Sequence, residues 1–414
     1  MALFYLLVAL MPLEHNPLLG THLGAVTTTK YLGLVCLLWA LVKGLRDSSA
    51  FPRLRQPFAW CLYGLTAWAA LSYEWMSLTH RPFLASPAAS YLSFLLLLPT
   101  VVILVNSIPR LRNTLAAMVA GLGVTSLYLI REWATHRNVP GFRPGWVAGD
   151  PNYFSVAAVL ALPLGLVLWE HWESRAIRWL WGLALLVIFL ADGLAASRGG
   201  FLGLLGAGLF LLWRRPKYRK PAFTVLLLVV PLLWVLPQSP LQRFRHPTRG
   251  DREAITTREK VWRAGWRMIQ QHPIAGVGLG NYKFVVQRYE AANRPAPGIW
   301  MSGQGPELIA HNTYIELAAE LGLPGFMAWM CLWIGTWRGL NWSRRQVQVQ
   351  PQSMIRVFAD GAQSGLVGYA ISMSFLSAEY QKLLWLVLIL GFALPALIPQ
   401  QKFQPDPQAI FAAA

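Results

Sequence analysis

The chain has 414 residues, of which 55% are hydrophobic and 13% charged, with a formal net charge of +18 and three cysteines. Soluble domains carry about 25% charged residues, so an ordinary soluble globular protein is excluded. The recurrence of long apolar runs indicates instead an all-α polytopic membrane protein. Cys36, Cys61 and Cys331 all lie within apolar runs, where they read as core side chains with no basis for a disulfide or a metal site.

In chain order the apolar runs fall at 1–13, 24–42, 57–73, 89–107, 112–130, 152–169, 177–195, 199–213, 221–237, 312–337, 361–377 and 381–399. About twelve transmembrane helices are therefore expected. The first run has no basic n-region and no small-residue cleavage site before Glu14, so it reads as a retained span. Being short for a bilayer of ~30 Å, it has to tilt or pack on neighbours. Tryptophans collect near the ends of runs (Trp39, Trp60, Trp169, Trp213, Trp337), as interfacial belts require. The chain divides into helices 1–9 over residues 1–237, a polar loop over 238–310, helices 10–12 over 311–400 and a tail over 401–414.

With the N-terminus in the cytoplasm, the cytoplasmic segments hold eighteen Lys and Arg residues and the short outer segments seven. This bias supports an even number of spans with both termini cytoplasmic. The remaining eleven basic residues lie in the long loop, on the side where topology does not need them. An anionic partner does. Within the loop, Ile255, Trp262, Trp266 and Ile269 recur at helical spacing, with Lys260, Arg263 and Arg267 off that line. The pattern predicts a basic amphipathic helix in the interface plane. His272-Pro273 ends it. A glycine-rich turn, Gly276-Val277-Gly278-Leu279-Gly280, then lets the backbone approach something closely, and a second helix is expected from about Tyr282.

Where the loop meets the tenth apolar run stands His311-Asn312-Thr313-Tyr314, followed by Glu316, Glu320 and a Gly322-Leu323-Pro324-Gly325 break. An imidazole at a helix N-terminus is held neutral by the dipole and can accept a proton near pH 7. An interfacial His bonded to a neighbouring loop is the plainer reading. Arg198 lies in a tight turn between two spans on the same side, and its planar fork suits phosphate oxygens; pairing with Asp192 is the alternative. Arg258 and Arg263 could reach a diphosphate, or could serve lipid headgroups. Asp150-Pro151-Asn152 reads first as a helix cap. Glu320 lies about 180° round the helix from His311, so the two form no dyad, and pairing with a basic group in the bundle is expected for it. Gly276-x-Gly278-x-Gly280 follows no strand, which argues against a dinucleotide site. There is no GxxxxGK[ST], HExxH or CxxC pattern. A reaction without nucleotide hydrolysis, metal or other cofactor is the expectation.

The pattern His311-Asn312-x-Tyr314-x5-Glu320-x-Gly322-x-Pro324-Gly325 resembles the O-antigen ligase and O-antigen polymerase superfamily. So do Arg258-x3-Trp262, His272-Pro273-Ile274-x-Gly276-Val277-Gly278-Leu279-Gly280-Asn281-Tyr282, Ser197-Arg198-Gly199-Gly200 and Asp150-Pro151-Asn152. The resemblance implies a membrane glycosyltransferase (GT-C-like) bundle with one large periplasmic loop. It also implies a place in the bacterial inner membrane with the active site facing the periplasm. It further implies inverting, metal-independent transfer of a glycan from undecaprenyl diphosphate to an acceptor hydroxyl. By that resemblance His311 is the general base, Arg198 and Arg258 grip the diphosphate and Arg263 is a weaker candidate. Asn312, Tyr314, Gly278, Asn152 and Glu320 would play supporting parts. The implied partners are the lipid-linked glycan donor, a glycolipid or glycan acceptor and membrane lipids, with no nucleic acid. Ligation to lipid A-core leads. Polysaccharide polymerisation and protein O-glycosylation remain open, as do a bicarbonate-type anion transporter and a non-catalytic polyprenyl-lipid partner.

Overall fold

The computed structural model describes residues 1–13, 27–78, 83, 86–139, 142–145, 150–220, 223, 227, 249–290, 308–347 and 353–398. Thirteen helices among them are numbered here: α1 (Ala2–Leu10), α2 (Thr28–Arg46), α3 (Pro57–Met76), α4 (Pro87–Leu104), α5 (Ile108–His136), α6 (Pro151–His171), α7 (Arg175–Ala195), α8 (Arg198–Arg214), α9 (Arg249–Gln271), α10 (Tyr282–Glu290), α11 (Thr313–Gln346), α12 (Met354–Met373) and α13 (Lys382–Ala393). No strand occurs among the described residues. A helix stands at each expected apolar run except 221–237, which apart from 223 and 227 lies outside the described residues, as do 238–248, 291–307 and the tail 401–414. Six helices (α2, α4, α5, α6, α7 and α11) are long and apolar enough to cross a membrane, while α1 and α13 are apolar but shorter. The fold is that of an all-helical, multi-pass membrane protein.

Local chemistry sets the helix starts. Proline occupies the first turn of α3, α4, α5 and α6, where its missing N–H would have no partner in any case. Ser86, Asp150, Ser197, Asn312 and Ser353 accept backbone N–H bonds as N-caps, each such cap contributing about 1 kcal/mol.

The centre of the bundle is α6, α12 and α13, buried over most of their circumference, which their nearly uninterrupted apolar sequences require. Small residues allow the closest contacts, as is common where hydrocarbon on both sides leaves packing as the main source of attraction. On α8 and α12, Gly203 and Gly368 face each other so tightly that a Cβ on Gly368 would lie 2.4 Å from the Gly203 carbonyl oxygen. Helix α7, by contrast, turns Trp179, Leu180, Leu183 and Leu186 outward.

At the ends of α6 and α8, polar groups from four helices interlock. Arg215, just beyond α8, is buried between Asp360 of α12 at 3.4 Å and Glu170 of α6 at 3.3 Å. Arg344 of α11 reaches Asp360 at 2.8 Å, Lys217 reaches Glu170 at 2.7 Å, and Arg214 donates to Gln363 at 3.0 Å. Buried charges are tolerated only when paired in this way. The opposite ends of the same helices (the starts of α6, α8 and α11 and the end of α12) meet around a cavity.

Helix α11 is broken rather than smoothly continuous. Gly322 takes φ 67°, ψ −178°, and Pro324 lacks the N–H that would continue the ladder. The carbonyls freed there are taken by the glycine-rich turn of residues 276–280. Val277 N–H donates to Ala319 O at 2.8 Å, and Gly278 N–H donates to Glu320 O at 3.1 Å. The Glu320 carboxylate then accepts the N–H groups of Gly280 at 2.8 Å and Tyr282 at 3.0 Å. The close backbone approach expected of the glycines is therefore to α11, and the partner of Glu320 is backbone, not a basic side chain. A Cβ on Gly276 would meet Glu320 O at 2.3 Å and one on Gly322 would meet Ile274 O at 2.1 Å. The two glycine motifs are complementary halves of one contact.

Helix α9 lies against α10 and α11 through only half of the expected stripe: Ile269 and, in part, Trp262 pack inward, and Ile255 and Trp266 do not. Its buried side chains are Val261, Ala264, Met268 and Ile269, while Ile255 and Trp266 are exposed and Trp262 is half-buried. Small residues at 264 and 265 let α9 close on Ile315 and Tyr282.

Candidate active site

Three of the helix N-termini that meet at the cavity are built alike. Asp150 caps α6 by accepting Asn152 N–H at 2.6 Å, Ser197 caps α8 by accepting Gly200 N–H at 3.2 Å, and Asn312 caps α11 by accepting the N–H groups of Tyr314 and Ile315 at 3.0 and 3.1 Å. The residues just ahead of the last two caps, Ala196 (φ 51°) and His311 (φ 49°), are the two non-glycine residues with positive φ among the described residues. That conformation costs of order 1 kcal/mol or more each and turns the chain sharply, so that Arg198 and His311 face one space.

The space is a cavity of about 320 Å³ lined by His311, Arg143, Arg198, Arg258, Asn152, Ser197, Thr257, Gly199, Gly200 and Ser372, with Val156, Phe375 and Leu376 as its apolar part. Of the residues anticipated from sequence, His311, Arg198, Arg258 and Asn152 are thus brought together. Arg263 is not. Five residues further along α9 than Arg258, it is turned about 140° away, stands exposed and pairs with Glu259 at 3.1 Å. Gly278 of the glycine turn and Glu320 of α11 meet each other at that contact, outside the cavity lining. Tyr314 and Asn312 build the frame: the Tyr314 hydroxyl donates to Ala370 O at 2.8 Å and the Asn312 amide to Ser374 O at 3.2 Å.

Arg143 is the cavity residue that sequence reading missed. It comes from the connection between α5 and α6, with no motif around it. Its Nε donates to Ala195 O at 2.9 Å and its Nη2 to Asn152 Oδ1 at 3.1 Å, an oxygen that also accepts from Ser197 Oγ at 2.8 Å. One guanidinium therefore joins the end of α7, the start of α6 and the cap of α8. A lone Arg before an Asp-Pro-Asn cap was the available signal.

His311 is held from several directions. Trp262 Nε1 donates to Ala310 O at 2.8 Å. Glu316, one turn into α11, takes the Ala310 N–H and the Ser377 hydroxyl. Thr313 closes the far side, its hydroxyl donating to Leu376 O at 2.8 Å and accepting Ala378 N–H at 2.9 Å. Burial, and then the nearby Arg258 guanidinium, push the His311 imidazolium below its ordinary pKa, with Asp150 opposing. The ring is therefore neutral near pH 7 and can accept a proton.

Three guanidiniums and the amino ends of α6 and α8 give the cavity a positive potential suited to an anion with several oxygens. Among the described residues there is no group of three or more His, Cys, Asp or Glu side chains arranged to hold a metal ion.

Fold and cavity together define a multi-pass membrane protein with a cationic, His-bearing site at one end of its bundle. Residues 183–330 match the family model of the O-antigen ligase, so over that stretch the chain is similar to the O-antigen ligase-like superfamily of membrane glycan-transfer enzymes. The match spans Arg198, Arg258 and His311 but begins after Arg143 and Asn152. No curated protein matches the chain.

Proposed function

We propose that the protein transfers a glycan from undecaprenyl diphosphate to an acceptor hydroxyl at the periplasmic face of the bacterial inner membrane, with lipid A-core as the acceptor. The observation that carries this reading is that a neutral imidazole and three arginines line one cavity. The arginines hold the diphosphate and receive its charge as the anomeric C–O bond breaks, so stabilisation grows towards the transition state. His311 removes the proton of the acceptor hydroxyl as its oxygen attacks the anomeric carbon, and later releases that proton to water. Nucleophile and leaving group occupy opposite faces of the sugar, so the anomeric configuration inverts. The donor is already activated, and the guanidiniums supply the charge that a metal would otherwise provide.

The test is transfer by the purified protein in nanodiscs, given undecaprenyl diphosphate-linked glycan and lipid A-core with EDTA present. Product of inverted configuration, lost in His311→Ala while donor binding persists, is expected. A strict requirement for divalent metal, or wild-type turnover by His311→Ala, overturns the reading. A glycan acceptor used in preference to lipid A-core moves it to polymerisation.

A further inference from the structure

We propose that the outer face of α9 and the turn that follows it are seated in the lipid of the leaflet that borders the cavity, making the helix an anchored part of the membrane surface. The proposal rests on α11 crossing the bilayer and not on the glycan-transfer reading.

Ile255 and Trp266 are 54% and 59% exposed. Eleven residues apart, they lie about 20° from each other around the helix, on a side that also carries exposed Glu259 and half-buried Trp262. On the far side, Val261, Ala264 and Met268 pack inward, so the line from Ile255 to Trp266 is not spare core. Past the helix end, Ile274 is 68% exposed. Its position along the membrane-crossing helix is fixed by two backbone contacts: the Ile274 carbonyl abuts Gly322, and Leu323 N–H donates to Pro273 O at 2.8 Å. Leu323 and, one turn on, Met327 are themselves exposed apolar side chains of α11, a helix long and apolar enough to span the bilayer. The surface that α11 turns to hydrocarbon thus continues onto the turn after α9.

Arg263 stands exposed beside the line, paired with Glu259 at 3.1 Å, and Lys260, turned further round the helix, is exposed and paired with Glu290 at 3.6 Å, where headgroup phosphates can share them. An exposed tryptophan flanked by cations is the composition of an interfacial helix. The same helix carries Thr257 and Arg258 to the cavity and Trp262 to the carbonyl ahead of His311. Seating α9 in lipid therefore steadies two cavity residues and the backbone of a third.

The experiment places a polarity-sensitive fluorophore on Trp266→Cys, Ile274→Cys and Lys260→Cys, each in a chain whose three native cysteines are serine. The carrier is nanodiscs of phosphatidylethanolamine and phosphatidylglycerol. Nitroxide on the shallow acyl chain should quench labels 266 and 274 at least two-fold more than aqueous iodide does, and label 260 should show the reverse. Iodide quenching at all three positions overturns the proposal. So does protection that appears only when glycolipid acceptor is added, which would mark an acceptor-docking face. Energy transfer between labels of two chains in the same disc, with no nitroxide quenching, would assign the face to a second copy and equally overturn it. A folding defect is separated by the melting temperature of each labelled protein, and Trp266→Phe labelled at 274 repeats the measurement with an aromatic side chain kept at 266.

Discussion

The indole of Trp262 donates to the carbonyl oxygen of Ala310 at 2.8 Å, immediately ahead of His311. Two parts of the chain that are far apart in sequence are thereby locked at the point where the imidazole must be aimed. Removing the donor while keeping the ring, in Trp262→Phe, is expected to lower kcat about ten-fold, or ~1.4 kcal/mol, with donor KM changed less than two-fold. An unchanged kcat would show that the Glu316 and Asn312 bonds suffice to hold the loop. Steady-state kinetics with donor and acceptor varied separately decides it.

The pH profile follows from the sign of the His311 shift. A base acts only when neutral, and burial and Arg258 both hold its pKa below the ordinary histidine value, which is about 6.5. The acid limb of kcat/KM should fall below that pH. Arg258→Gln removes a repelling charge and should move the limb up, whatever it does to the absolute rate. Asp150→Asn removes an attracting charge while its amide oxygen still caps α6, and should move the limb down. Limbs that stay together in all three proteins would show that another group is titrating.

Among the arginines, location ranks the effects. Arg198→Ala, Arg258→Ala and Arg143→Ala each remove a cation from the cavity lining and should weaken donor binding ten- to a hundred-fold, from ~1.5–3 kcal/mol per charged hydrogen bond. Arg263→Ala, exposed and paired only along its own helix with Glu259, should stay within about two-fold, since such pairs contribute about 0.5 kcal/mol. Arg143→Lys separates charge from shape. A lysine restores the positive charge but not the fork that bridges Ala195 and Asn152, so it should recover little. Calorimetric donor binding measures all five.

The contact between the glycine turn and the break in α11 predicts a stability order. Glu320→Ala leaves the N–H groups of half-buried Gly280 and buried Tyr282 without their acceptors, at about 1–3 kcal/mol for the buried one and less for the other. Glu320→Gln keeps one acceptor and should lie between. Gly322→Ala adds a Cβ 2.1 Å from a backbone carbonyl oxygen at φ +67° and should be the worst, exceeding the ~1–2 kcal/mol of the backbone conformation alone. Thermal unfolding in detergent orders the three, and a Gly322→Ala protein that melts like wild type would contradict the geometry.

Helix placement was legible because each apolar run satisfies its own backbone, and α3 to α6, α8, α11 and α12 also carry their own cap or proline. His311, Arg198 and Arg258 were legible because each sits in a compact local pattern. Arg143 was not, since its role depends on Ala195 and Asn152, which are distant from it or turned towards it only by the fold. The stripe on α9 was half legible: Trp262 and Ile269 do pack inward, but periodicity marks bulky apolar residues, and packing also chose Ala264 and Gly265 while leaving Ile255 and Trp266 outside. Glu320 was given a cationic partner because a sequence displays side-chain charges but not unpaired backbone N–H groups.

The knot of Arg215, Asp360, Glu170 and Arg344 at the other end of the bundle has an electrical consequence. A polar cavity that draws in multivalent anions is a weak point in an insulator. Opposite charges locked together beyond it offer a small ion neither an open conduit nor an unclaimed counter-charge. The membrane can thus keep its potential while one of its faces holds a wet, strongly positive site.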